Sequence, residues 1–236
     1  MNQFTIIHTY YNDRTLLETQ IERWKVYNTP IKIILIDDGS QEVPAEEVFR
    51  GVTFSDNIDL SVYKVTKDIG FNSHGCRNLG AMLANTEWLL FLDIDYTIQP
   101  SELRRLQKEE LDPLKLYEIN ARFKNWSPER DPYVALNQFV ISKKLYLESE
   151  GYDESWVPFH FGDREFLGRL ADISEKVNLD WVVLTCRRGG RKGIIDDDAT
   201  IPVYDDEKMV FYSRKFDPTK IERVPSRINF PWKKVF

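Results

Sequence analysis

Trp88-Leu89-Leu90-Phe91-Leu92-Asp93-Ile94-Asp95 decides how the rest of this 236-residue chain is read. An unbroken apolar run of this length suits a strand covered on both faces, and such strands belong to parallel sheets layered between helices. Upstream, Ile31 to Ile36 repeats the pattern and stops at Asp37-Asp38-Gly39-Ser40, an acidic turn containing glycine. Phe4 to Thr9 and Leu60 to Val65 read as further strands. Between them Leu17, Ile21 and Trp24 recur near helical spacing behind a capping-box pattern from Thr15 to Glu18. A second helix is expected from about Gly75 to Ala84. This alternation predicts an α/β fold, Rossmann-like, with a mixed but mostly parallel sheet flanked by helices in a single compact domain.

Past Pro100-Ser101, where Ser101 is a candidate helix cap, the alternation loosens. Strands are expected near Leu116 to Phe123 and Asn137 to Ile141, with a helix after Ser142. A boundary near residue 100 separates roles within one domain: 1–100 for ligand binding, 101–236 for the rest of the chemistry.

Composition narrows the field. At 42% hydrophobic and 30% charged the chain is long enough for a full core, and no apolar run approaches the roughly 20 residues of a bilayer span. Met1-Asn2-Gln3-Phe4 shows no secretory signal pattern, so a cytoplasmic location is expected. Two cysteines, Cys76 and Cys186, are too few for a disulfide framework. A net charge of -6 argues against a nucleic-acid partner. The tail from Arg214 to Phe236 interleaves cations with aromatic residues; it reads as a last packed strand, with at most peripheral membrane contact.

Ligands of open α/β sheets bind at the carboxyl ends of the strands. Three such ends carry usable groups: Thr9-Tyr10-Tyr11, Asp37-Asp38 and Asp93-Ile94-Asp95. On extended backbone Asp93 and Asp95 face the same way, and paired carboxylates suit Mn²⁺ or Mg²⁺ with a diphosphate as further ligand. The competing reading is that acidic residues end strands as turn formers. No GxGxxG follows the first strand, and Gly75 to Gly80 has P-loop glycine spacing without the following Lys and Ser or Thr. His8, His74 and His160 lack zinc-site spacing.

Taken together, Asp37-Asp38-Gly39-Ser40, Gly75-Cys76-Arg77-Asn78-Leu79-Gly80 and Leu92-Asp93-Ile94-Asp95 resemble the donor half of GT-A glycosyltransferases of the family 2 type. Gly151-Tyr152-Asp153-Glu154 is similar to that family's G-F-D-E segment, and Gly162-Asp163-Arg164-Glu165-Phe166 to its E-D-x-E-[LF] element, with Gly162 replacing the usual glutamate. Ile228-Asn229-Phe230-Pro231-Trp232 resembles the tail of galactosyltransferase-like members.

The resemblance implies a metal-dependent inverting enzyme that moves a sugar from a nucleotide-diphosphate sugar, a UDP-hexose, to a glycan or glycolipid hydroxyl. Asp163 would be the catalytic base, with Glu165 as a helper or structural acid. Asp93 and Asp95 would hold Mn²⁺ or Mg²⁺, with His160 as a candidate third ligand. Thr9, Tyr10, Tyr11, Asp37, Asp38, Asp68, Arg77, Asn78, Asp93 and Trp156 would line the nucleotide-sugar site, Arg77 facing the diphosphate. Arg187 to Gly193 reads as a basic, glycine-rich loop over the phosphates. Core packing competes for the tyrosines and Trp156, and a helix cap for Asp163. A nucleotidyltransferase and a non-catalytic nucleotide- or sugar-binding module are the alternative functions.

Overall fold

The computed structural model describes residues 2–124, 131–154, 162–187 and 228–236. Strands β1 (Phe4–Tyr10), β2 (Ile31–Asp37), β3 (Ile58–Val65) and β4 (Trp88–Phe91) run parallel in the order β4-β1-β2-β3. Alternate side chains of β1 explain the layers. Phe4, Ile6 and Tyr10 pack with Leu17, Ile21 and Trp24 of helix α1 (Arg14–Lys25), while Ile7 faces Cys76 and Leu79 of α3 (Ser73–Leu83) on the other side. Each large apolar side chain so buried contributes about 1.5–3 kcal/mol. Gly80 sits where α3 crosses β1: a Cβ there would stand 2.5 Å from Ile7 Cγ2, so only glycine lets helix and strand approach so closely.

Helix starts differ from the sequence expectation. Asp13 caps α1, accepting from the Leu16 N–H at 3.0 Å, and Thr15 already lies inside the helix. In α4 (Pro100–Leu106) the first helical residue is Pro100, whose missing N–H costs nothing there, so Ser101 is not the cap. Glu102 instead reaches back to the Gln99 N–H at 3.1 Å. The short helix α2 (Ala45–Val48) follows the turn after β2.

The second half extends the same sheet. After the two-residue β5 (Tyr96–Thr97) come β6 (Lys115–Phe123), β7 (Tyr133–Ser142), α5 (Lys143–Glu148), α6 (Gly162–Ile173), β8 (Glu175–Cys186) and β9 (Trp232–Lys234). The described residues form one nine-stranded mixed sheet, β5-β8-β6-β7-β4-β1-β2-β3-β9, in which β7 is antiparallel to β4 and β6 while β6 and β8 are parallel. Register shifts on both sides of β6, next to Asn120, bend this part of the sheet. The tail packs along β3 as an edge strand. Phe4, Leu35, Ile119 and Leu184 share one core, so residue 100 is no structural boundary.

Candidate active site

The carboxyl ends of β1, β2 and β4 open on one edge of the sheet. At β2, Asp37 is fully buried and spends both oxygens on backbone: Oδ1 accepts from the Ser40 N–H and Oδ2 from the Ala45 N–H, each at 2.8 Å. Asp37 therefore builds the turn and ties down α2 from a fully buried position. Gly39 completes the turn at φ +78°, and a Cβ there would stand 3.1 Å from the Asp68 backbone. Asp38 accepts from the Asn72 N–H through Oδ2 at 2.8 Å, at the start of α3, and burial pushes its carboxyl up from 3.8 to about 7.

The two tyrosines part company. Tyr10 is core, its hydroxyl donating to the Val43 carbonyl at 2.8 Å, as the competing packing reading has it. Tyr11 is exposed and donates to Asp68 Oδ2 at 3.1 Å, while Asp68 Oδ1 accepts from the Gly70 N–H at 2.9 Å. These two residues form a rim beside Asp38. Thr9, partly exposed, is the last residue but one of β1, opposite Ile36.

Arg77 occupies the centre. It projects from α3 with 4% of its side chain exposed, donating from one end of the guanidinium to Asp93 Oδ1 at 2.6 Å and from the other to Asp163 Oδ1 at 2.7 Å. Its Cζ also lies 5.2 Å from the ring centre of Tyr152. Burial works against the charged guanidinium, but Asp93 and Asp163 more than offset it, and the Arg77 pKa rises. For Asp163 burial is the larger effect and raises the carboxyl, with Arg77 pulling it back. In this structure Arg77, the expected diphosphate contact, faces two carboxylates and joins α3 to α6.

Asn78 is held by protein partners as well. All four of its amide hydrogen-bonding positions are taken, with donations to the Tyr152 carbonyl at 2.8 Å and Glu154 Oε1 at 2.9 Å, and acceptances from the Tyr146 hydroxyl at 2.6 Å and the Tyr152 N–H at 2.9 Å. It fastens the Gly151–Glu154 segment to α3. Glu165 is a structural acid, paired with Arg169 at 2.5 Å, and Arg169 also donates to the carbonyls of Ser149 and Gly151.

Residues 5–119 match the sequence family Glycosyltransferase like family 2. Over that span the chain is similar to the family 2 glycosyltransferases. TarS 1-349 of S. aureus, solved with UDP-GlcNAc, is 16% identical, with 84% of this chain and 62% of that one covered at a TM-score of 0.58. A mannosyltransferase, PcManGT from Pyrobaculum calidifontis, solved with GDP-Man and Mn²⁺, is 15% identical over 80% of this chain and 58% of its own, at a TM-score of 0.63. GalNAc-T7 with UDP, GalNAc and Mn²⁺ is 12% identical over 79% of this chain and 44% of its own, at 0.57. These likenesses identify the fold as GT-A. The chain spans about three fifths of the TarS 1-349 and PcManGT chains. No curated protein matches it by sequence.

The acids at the end of β4 differ in what they could offer a divalent ion. Asp93 is engaged by protein partners, its Oδ1 with Arg77 and its Oδ2 accepting from Gln138 Nε2 at 2.9 Å, so only its remaining lone pairs are open to an ion. Asp95 fits: its carboxylate is partly exposed at the strand end, with the Cys186 thiol 3.9 Å from Oδ2. Among the described residues no three His, Cys, Asp or Glu side chains gather as a metal-holding group. Trp156, His160 and the loop from Arg188 to Gly193 lie outside the described residues.

Sequence reading missed Gln138 and Tyr152 as members of this site. Gln138 is a buried polar residue inside β7, and its reciprocal pair with Asp93 includes the Asp93 N–H at 2.7 Å to its own Oε1. Its one sequence signal was a polar residue directly before the apolar run Phe139 to Ile141.

Proposed function

We propose that this glycosyltransferase transfers a sugar from a UDP-hexose to the hydroxyl of a glycan or glycolipid acceptor, with inversion at the anomeric carbon. The observation that carries this reading is the bridge through Arg77, which brings Asp163 of the second half beside Asp93 of the donor half. Asp163 takes the acceptor's hydroxyl proton as that oxygen attacks the anomeric carbon from the face opposite the leaving diphosphate. Arg77 favours the ionised form that a base needs, and its contact at Oδ1 fixes the carboxylate's orientation. Asp38, Asp68 and Tyr11 form the nucleoside rim. Asp95 is the residue that would hold Mn²⁺ or Mg²⁺, which supplies charge stabilisation for the departing diphosphate. Structures of TarS with UDP-GlcNAc and of PcManGT with GDP-Man and Mn²⁺ support a nucleotide-sugar donor on this fold.

The test is turnover of UDP-sugars with Mn²⁺ across an acceptor panel, in wild type and Asp163→Asn. The amide keeps the shape and cannot accept the proton, so kcat should fall by about 10²–10⁴ while UDP affinity holds. Retention of more than about a tenth of kcat would remove Asp163 as the base.

A further inference from the structure

We propose that Gln20 is a positioning residue for Asp95, acting through the backbone of the acidic turn at the end of β4. The inference rests on the reading that Asp95 holds the divalent ion. Because β4 ends at Phe91, the backbone groups that follow must find partners outside the strand ladder. The Asp93 N–H donates to Gln138 Oε1 at 2.7 Å, and the Tyr96 N–H donates to the Asp93 carbonyl at 2.9 Å. The Asp95 carbonyl accepts from the Arg187 N–H at 2.8 Å. The carbonyls on either side of it, Ile94 at 2.9 Å and Tyr96, both accept from Nε2 of Gln20. A single side-chain amide, 1% exposed and carried by α1, thus brackets Asp95.

The residue type matters. An amide supplies two N–H donors without a net charge, so it fixes the turn without adding a cation beside Asp95. A lysine here would bring a competing charge beside Asp93 and Asp95, and an ionised glutamate would set an acceptor against two carbonyls. On the other side of the turn Arg77 and Gln138 hold the Asp93 carboxylate. The two aspartates are therefore separated in role: one is bound to protein partners, and the other is aimed by its backbone.

Calorimetric titration of UDP with and without Mn²⁺ tests this in wild type, Gln20→Met, Asp95→Ala and the double variant. Gln20→Met should lose about tenfold of the Mn²⁺-dependent gain in affinity, keep metal-free UDP binding, and add nothing in the Asp95→Ala background. Gln20→Asn, which keeps the amide but falls short by a methylene, is the milder second variant and should lose part of the same gain. Thr5→Val controls for general loosening: it breaks the buried Thr5–Thr86 hydroxyl pair at 2.7 Å and should lower thermal stability with the Mn²⁺ gain intact. An unchanged Mn²⁺ gain in both Gln20 variants, or a further loss in the Asp95→Ala background, would overturn the positioning role alone. A full Mn²⁺ gain in Asp95→Ala would instead overturn the metal reading, and the positioning role with it.

Discussion

The ends of β2 and β4 carry the same feature, an apolar parallel strand followed by paired aspartates, and use it in different ways. At β2 the partners are backbone amides: Ser40 and Ala45 for Asp37, and Asn72 for Asp38. At β4 they are side chains, Arg77 and Gln138 for Asp93. A carboxylate satisfied by backbone amides, as Asp37 is by those of its own turn and Asp38 by the start of α3, cannot change partner without moving that backbone. One held by side chains can rearrange when an anionic donor arrives. The acids of β2 shape the pocket, whereas those around β4 can take part in its chemistry.

The largest effect should come from Arg77→Met. Removing this cation leaves the partly buried Asp93 and Asp163 side by side without a counter-charge, which should cost about 3 kcal/mol in urea denaturation and abolish transfer. Arg77→Lys keeps the charge but lacks the planar fork that reaches both acids, so an intermediate loss is expected. A loss under about 1 kcal/mol for Arg77→Met would show that the β4 cluster is no more demanding than a surface ion pair, and the contrast with β2 would collapse.

How much of this was legible depended on whether the signal was local. The four parallel strands and the helices α1 and α3 of the first half follow from apolar periodicity, whereas the four-residue α2 does not, and the DDGS and DxD turns lie at strand ends as expected. The partners of those acids were not legible. Arg77 meets Asp163 across 86 residues and Gln138 meets Asp93 across 45, distances over which spacing in a sequence carries no geometry. Asn78 misled because one residue of helical rotation separates a side chain facing the acids from one facing the Gly151–Glu154 segment. The start of β7 at Tyr133 was missed because the register shift beside Asn120 breaks the alternation on which strand assignment relies.

A second, smaller effect separates the β2 acids by pH. Burial raises the Asp38 carboxyl from 3.8 to about 7, so the folded protein keeps a proton that the unfolded chain has released. The stability this contributes is complete below about pH 4 and is lost as pH rises toward 7. Asp38→Asn does not titrate. Its stability relative to wild type should therefore rise by about 2 kcal/mol between pH 5 and pH 7, read from urea midpoints. A difference independent of pH would mean that Asp38 is ionised in the fold at no cost, more like an acid of an exposed site.

The smallest effect expected is that of Asp37→Asn, and it bears most directly on the contrast. Asp37 offers two acceptor oxygens to two backbone N–H groups, and asparagine has only one oxygen to offer. Whichever way the amide turns, its NH₂ meets a backbone N–H, so one buried hydrogen bond is lost and a donor is left unpaired. That alone costs about 1–3 kcal/mol. Against it stands a gain: the neutral amide escapes the burial that raises the Asp37 carboxyl's pKa. The two partly cancel, leaving a net loss of about 1 kcal/mol in urea denaturation. Because Asp37 lies behind the turn, UDP affinity should change less than about twofold, well below the tenfold that 1.4 kcal/mol of lost contact would bring. The opposite pattern, unchanged stability with weakened UDP binding, would make Asp37 a ligand contact and place the acids of β2 in the same class as those of β4.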